Sequence, residues 1–477
     1  MIRYISITGN AEPVNFKEAL LTGIAADGGF YVPDQLPSIN LEQLSSWKSL
    51  GYTDLAFEIL SLFIEESIIP HKDLQRLIEN SFASFNHPEI IPHTYLKDRN
   101  IIVQELFQGP TLSFKDVAMG LVVNLFDYFL RKDNKKMNII VATSGDTGPA
   151  AGYASIGKST LNTWLLYPRG MITEEQERQM TTNYAPNVHP IGVEGCRNGS
   201  NDFDVLIKQL FADEEFKSKT NLSSVNSLNW GRIMMQTVHY YYGYLQNVDR
   251  IGDLVDFAVP CGLFGNMAAG VIAREMGLPV DKFIVSTNEN TVLNQAITEG
   301  IFSKQKEIHV NYSSAIDISV PSNFWRFLYF TTGRNTKRIS NWFREYELNG
   351  IVEFPHEHVK SFSKGILTNS VTNEQTLETI RDVFEKDGYL LDPHAAVAVC
   401  SAKKKEHELR NKVICLATAH PSKFPDVTLK ALGRIPREGT HQSMTNSSKL
   451  CQRSFRCSFD DMAHVVPKTI LKLTGTE

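Results

Sequence analysis

Residues 256–270 read DFAVPCGLFGNMAAG, and the fold turns on how this stretch is read. A short apolar run, DFAVP, stops at Gly262-Leu263-Phe264-Gly265-Asn266, and an Ala-rich run with helical spacing begins at once. A buried strand that passes through a glycine loop straight into a helix is the repeating joint of α/β sheets. The two glycines allow a tight turn that aims successive N–H groups at one point, a cradle suited to an anion. The spacing G-x-x-G does not supply the dinucleotide fingerprint G-x-G-x-x-G, and no Gly-Lys-Ser/Thr closes a P-loop. No Lys or Arg lies in the loop, so amides and the helix dipole would hold the anion. A plain glycine turn ahead of a helix has the same sequence, and that reading stays open here.

Outward from this joint the pattern repeats. Between about 94 and 430, IIVQELF, MNIIVATS, LNTWLLYP, VHPIGVEG, DFAVPCG, DKFIVSTN and KVICLATAH alternate with helical stretches. Such Val-, Ile- and Leu-rich runs are strands buried on both faces of a mainly parallel sheet. Residues 1–93 read as a mostly helical N-terminal domain, with amphipathic runs such as LAFEILSLFIEESI. Residues 94–437 form the α/β region, and 438–477 are a polar tail ending in a helical run, DDMAHVVPKTILKL. The tail's role is not legible from its composition.

Ligands of parallel sheets gather where strands end and helices begin. A second such junction is ATSGDTGPAAGYA, in which Ser144-Gly145-Asp146-Thr147-Gly148 bring hydroxyls and free N–H groups together. Ordinary helix capping uses the same residues. In a third, VICLATAHPSKFPD, Thr418 falls at a strand end, either facing a ligand or bonding a nearby carbonyl. His420, followed by Pro421, is a loop residue, since no metal-ligand spacing surrounds it.

The stretch PTLSFKDVAMG (110–120) adds an amine. Apolar residues from Phe114 to Phe129 recur at helical spacing, and Ser113 with Asp116 resembles a capping box that starts the helix at about Phe114. Lys115 therefore sits in the first turn, where the dipole and the neighbouring apolar stripe both disfavour its charge. A neutral amine attacks carbonyl carbon, as Schiff-base lysines do. Most lysines instead lay the stem on the surface and send the head to water. An uncharged lysine, a cation-free phosphate cup and a hydroxyl at a strand end are, taken together, what pyridoxal phosphate requires.

The rest of the composition narrows the field. The chain has 477 residues, 42% hydrophobic and 21% charged, with net charge −5. That mild acidity offers nothing to nucleic acid or an anionic membrane. The six cysteines lack metal-ligand spacing and read as reduced cytosolic thiols, so no metal site is expected. The N-terminus lacks the h-region of a signal peptide, and no run of about 18 apolar residues would span a bilayer. A cytoplasmic enzyme acting on a small molecule, as a monomer or homodimer, is the expectation.

PTLSFKD, ATSGDTGPAA, NSLNWGRI, GLFGNMAAG, STNEN, SAIDISVPSNF, DPHAAVAV and ATAHPSKFPD together resemble the motif series of the threonine synthase family. EALLTGIAADGGFYVPDQLP resembles that family's N-terminal domain, so the resemblance covers roughly residues 1 to 430. It implies a fold-type-II, tryptophan-synthase-β-like architecture of two α/β lobes holding pyridoxal 5′-phosphate. It further implies Lys115 as the Schiff-base lysine, Gly262, Leu263, Phe264, Gly265 and Asn266 as the phosphate loop, and Thr418 as the hydroxyl facing the ring nitrogen. Ser144, Gly145, Asp146 and Thr147 match the loop for the substrate's amino-acid end. Arg232 in NWGRI is the candidate for the substrate phosphate, with a structural ion pair as its alternative. The implied reaction converts O-phospho-L-homoserine and water to L-threonine and phosphate, the last step of threonine biosynthesis. Two alternatives remain open: a phospho-lyase giving 2-oxobutyrate, and a homologue that binds cofactor without turnover. Two departures stand out. SITGN occupies the place of an STRG-like sequence, so an arginine is missing, and Leu263 replaces a common Asn.

Overall fold

The computed structural model describes residues 2–97, 100–305 and 307–475. Two compact units form: residues 1–118 with 227–439, and residues 119–226 with 440–477. These units cut across the division at 93/94 and 437/438. The helical N-terminal region shares a unit with much of the α/β region, and the tail joins 119–226.

The first unit is built on a six-stranded sheet. Its spatial order is Ile366–Ser370, Val280–Thr287, Val255–Pro260, Val413–Ala417, Ile101–Glu105 and His93–Tyr95. Neighbours run parallel except His93–Tyr95, which is antiparallel to Ile101–Glu105. Val255–Pro260 and Val413–Ala417 are buried along their whole length, as runs covered on both faces should be. The helix Pro393–Lys404 packs on Val103, Ala258, Ile284 and Cys415 through Ala395, Ala396, Ala398 and Val399, small side chains that permit close approach. The helix Trp230–Asn247 is buried nearly all round, so it runs through the core rather than over it. Against it packs Tyr52–Ser61, with Tyr52 edge-on to Tyr242 at 5.3 Å between ring centroids.

The second unit carries a five-stranded parallel sheet in the order Phe455–Ser458, Val188–Glu194, Leu161–Pro168, Met137–Ala142 and Leu222–Ser223. The tail supplies its edge strand, Phe455–Ser458. It also supplies the helix Met462–Thr474, whose Met462, Val466 and Ile470 join Trp164, Leu166, Ile191 and Phe203 in one core.

Each of the quoted apolar runs is a strand. Of those not anticipated, Ile366–Ser370, His93–Tyr95, Leu222–Ser223 and Phe455–Ser458 are short or half-polar strands at the edges of these sheets, where one side needs no apolar cover. The others make two small antiparallel pairs, Tyr4–Ser6 with Tyr31–Pro33 and Ile301–Ser303 with Ile351–Glu353. No helix among the described residues is long and apolar enough to cross a membrane.

Candidate active site

Lys115 is the first residue of the helix Lys115–Lys132, one position later than the capping pattern suggests. The reason is local. The Asp116 carboxylate accepts the Thr111 N–H at 2.8 Å and the Thr111 hydroxyl at 2.6 Å, which draws the chain into a tight turn ahead of the helix. Ser113 Oγ accepts the Lys115 N–H at 3.4 Å. The half-buried Lys115 places Nζ 3.8 Å from the centroid of the Phe114 ring. Leu112, just upstream, has φ +59°, a left-handed backbone that bulky side chains rarely adopt.

That strained turn is stitched to the strand end carrying Thr418. The Phe114 N–H donates to the Thr418 carbonyl at 2.8 Å, and the His420 N–H donates to the Leu112 carbonyl at 3.0 Å. An antiparallel bridge pairs Ser113 with Ala419 between them. Lys115 and Thr418, separated by most of the sequence, are thus held on adjacent backbone segments.

The glycine loop lies in the same unit. Phe264 takes φ +65°, a second bulky residue in the left-handed region, and its ring is pinned edge-on by Phe324 and Phe327 at 5.4 Å each. Backbone strain of this kind persists only where packing enforces it, and it gathers at functional loops. The helix Gly265–Glu275 starts here with no side chain capping its first turn. A Cβ on Gly262 would stand 2.9 Å from the Ala315 carbonyl and 3.1 Å from Ile316 Cα, so the loop backbone approaches where no side chain fits.

Asn266 is oriented by its neighbours. Tyr240 OH lies 2.9 Å from its Oδ1, and His239 Nε2 lies at the same distance. Burial pushes His239 down to about 3, opposed by the bond to Asn266, so the ring is neutral and Nε2–H donates. With Oδ1 so engaged, the buried Nδ2 has no hydrogen-bond partner among the described residues. An uncapped helix start, a side-chain-free approach and an unused amide donor together fit an oxyanion.

Next to Lys115 lies a buried charge cluster. Burial pushes Asp116 up to about 6, against the Thr111 bonds and the charge of Lys423, which is itself fully buried. Lys423 Nζ donates to the Thr111 carbonyl at 3.1 Å. Arg232 is 1% exposed; burial pushes it down to about 10, and Asp116 opposes that shift. Neither buried cation in the field of Asp116 stands near it in the sequence, so their meeting was not foreseeable from spacing.

In the second unit the Ser144–Thr147 loop is held from within. Thr143 Oγ1 accepts the N–H groups of Gly145 at 3.1 Å and Gly148 at 2.9 Å, and Gln176 Nε2 donates to Asp146 Oδ1 at 3.0 Å. Asp146 does not cap the helix Thr147–Ser155 with its side chain. Gly145, at φ +119°, is required because a Cβ there would meet the Gln176 side chain at 2.4 Å. Among the described residues, no group of three or more His, Cys, Asp or Glu could hold a metal ion.

The SITGN departure has a local account. Ser6 and Thr8 hydroxyls donate to Asp27 at 2.8 and 2.6 Å, and the N–H groups of Asn10 and Gly29 add bonds of 2.9 Å each. The segment closes on this carboxylate without an arginine.

Mainly parallel sheets in two units, with an amine, a hydroxyl and an oxyanion cup at the strand ends, define a fold-type-II pyridoxal phosphate enzyme. The family model described as threonine synthase N terminus matches residues 3–82, and the one described as threonine synthase, C-terminal, matches 395–466. A threonine synthase of Saccharomyces cerevisiae is 37% identical over 89% of this chain and 88% of its own length. A threonine synthase-like 2 of Xenopus laevis is 38% identical over 98% of each. The crystal structure of PLP-bound threonine synthase from Brucella melitensis superposes with TM-score 0.91 at 33% identity, covering 99% of both chains. This chain belongs to the threonine synthase family.

Proposed function

We propose that this chain is a cytoplasmic enzyme that converts O-phospho-L-homoserine and water to L-threonine and phosphate. The residues present fit pyridoxal phosphate: the uncapped start of Gly265–Glu275 and Asn266 Nδ2 suit its phosphate, and Lys115 its aldehyde. When bound, the cofactor supplies a conjugated electron sink for negative charge at the substrate carbons. Lys115 Nζ moves protons at the substrate Cα and Cβ, the role a positioned amine can fill. Overall, the Cγ–O bond to phosphate and one Cβ–H bond break, Cγ gains a proton in place of the phosphate, Cβ gains the hydroxyl of water, and water's other proton leaves with the phosphate. Thr418 serves as a neutral partner for the ring nitrogen, which tempers charge stabilisation at the substrate carbons. The Ser144–Thr147 loop takes the substrate carboxylate through hydroxyls and N–H groups.

Arg232 is assigned to the substrate phosphate, which its guanidinium matches in geometry. Its charge also faces Asp116. Arg232→Lys separates the two roles: a KM effect confined to phosphorylated substrate supports contact, whereas loss of folding alone marks the ion pair.

The observation that carries this reading is the paired stitch that sets the Lys115 turn beside Thr418. Incubation with O-phosphohomoserine, with threonine and 2-oxobutyrate both quantified, tests it. Threonine as the main product is expected. The likeness to a threonine synthase-like 2 keeps one competing reading, elimination followed by hydrolysis. Stoichiometric phosphate with 2-oxobutyrate would move the assignment to a phospho-lyase. Borohydride reduction should label Lys115; protein without visible-edge absorbance, or labelled on another lysine, sinks the cofactor assignment.

A further inference from the structure

Behind the glycine loop lies a buried guanidinium that no carboxylate among the described residues neutralises. Arg326, 0% exposed, interrupts the apolar run FWRFLYF of the helix Phe324–Thr331. Its Nη1 donates to Asn323 Oδ1 at 2.6 Å, and Nε and Nη2 donate to the Tyr31 carbonyl at 3.3 and 3.2 Å. Nη2 also donates to the Leu228 carbonyl, and the Phe30 ring centroid lies 5.2 Å from Cζ. Every one of these acceptors is neutral. Burial pushes the group down to about 9, and no titratable side chain among the described residues offsets that shift.

Removing an unpaired charge from water is costly, and a helix's first turn adds the repulsion of the dipole's positive end. A cation kept under both penalties points to an anion that the chain does not supply. Asn323 gives the direction. It too is 0% exposed, and its N–H donates to the Leu263 carbonyl at 3.1 Å. Its Nδ2 donates to the Ser227 carbonyl at 3.3 Å and lies 3.3 Å from where a Cβ of Gly265 would stand. One side chain thus separates the guanidinium from a loop that contains no cation of its own.

We propose that Arg326 is the positioning residue and counter-charge of the 262–266 phosphate site, holding the loop through Asn323 and favouring a dianionic phosphate there. This rests on the cofactor reading of that loop. A scaffold arginine that merely ties Tyr31, Leu228 and Asn323 together would stabilise the fold without sensing the ligand's charge.

The test begins with wild-type holoenzyme, reduced with borohydride. If Lys115 carries no label, the cofactor reading falls, and this proposal with it. With the label in place, cofactor-stripped wild type, Arg326→Lys and Arg326→Gln are titrated with pyridoxal phosphate and with phosphate-free pyridoxal. Arg326→Gln should weaken pyridoxal phosphate by about tenfold or more while leaving pyridoxal unchanged, and Arg326→Lys should restore much of the loss. Phosphorus NMR of the bound cofactor should show the phosphate's second protonation rising by about one unit in Arg326→Gln, the same factor of ten. Equal losses for both ligands, or an unmoved phosphate titration, would overturn the proposal. Should Arg326→Gln fail to fold, wild type decides: a bound phosphate that stays dianionic well below the free cofactor's transition supports it. One that titrates like free cofactor refutes it.

Discussion

Two opposed effects act on the Lys115 side chain: the start of a helix, which repels positive charge, and an aromatic face 3.8 Å from Nζ, which attracts it. An amine that moves protons in the reaction is not replaced by solvent in a closed site. Lys115→Ala should therefore keep the fold and lower turnover by ~10³-fold or more, read by steady-state rates alongside an unchanged circular-dichroism spectrum. Asp27 allows a prediction about pH. Burial pushes its carboxyl up, but bonds from Thr8, Gly29, Ser6 and Asn10 outweigh that and hold it below the usual carboxylate range. A carboxyl lowered in the folded state contributes stability that is present above its unfolded value and is lost as pH falls through the folded one. Asp27→Asn should thus lower the melting temperature near pH 7 and make little difference near pH 2. A difference that persists undiminished in acid would show that the bonds, rather than the charge, matter.

At the scale of elements, the glycine loop packs on a backbone segment that hydrogen bonds hold in place. The Ala315 N–H donates to His394 Nε2 at 3.0 Å, and His394 Nδ1 lies 2.8 Å from the buried Asp392 carboxylate. Two residues on, the Asp317 carboxylate accepts bonds from Asn288, Asn290 and Asn311. A methyl group at position 262 would press on this fixed backbone, so the loop must yield instead. Gly262→Ala should still fold, destabilised by about 1–3 kcal/mol, and lose about tenfold or more in affinity for pyridoxal phosphate, by absorbance titration. Unchanged affinity would mean that the loop does not hold the phosphate.

For the whole molecule, the tail is part of the second unit's core. Val466 is fully buried with Trp164 and Ile191, and Phe455–Ser458 covers the edge of Val188–Glu194. Placing a carboxylate among those side chains costs about 3 kcal/mol or more. Val466→Asp should lower the unfolding temperature and open residues 119–226 to limited proteolysis, whereas Lys468→Ala on the exposed face should not. Equal behaviour of the two variants would argue that the tail is dispensable.

Sequence alone determined most of the parallel sheet, because strands buried on both faces must be apolar throughout and their runs stand out. The three strand-end junctions and the helix start at Lys115 were legible for a related reason: glycine, hydroxyl residues and an out-of-place lysine each break the local rule. The edge strand Phe455–Ser458 was not, since an edge needs no apolar cover and FRCS carries no period. Arg326 left one trace, a charge inside FWRFLYF, but besides Asn323 its acceptors are backbone carbonyls at 31 and 228, which residue type does not announce. The positive φ at Leu112 and Phe264 was equally silent, as these residues are indistinguishable in sequence from ordinary core positions. The backbone stitch between the Lys115 turn and the Thr418 strand end, the burial of Arg232 within the field of Asp116 and the docking of the tail on 119–226 were decided only by the tertiary structure. Each joins groups far apart along the chain, and local pattern carries no information about which distant surface will bury them.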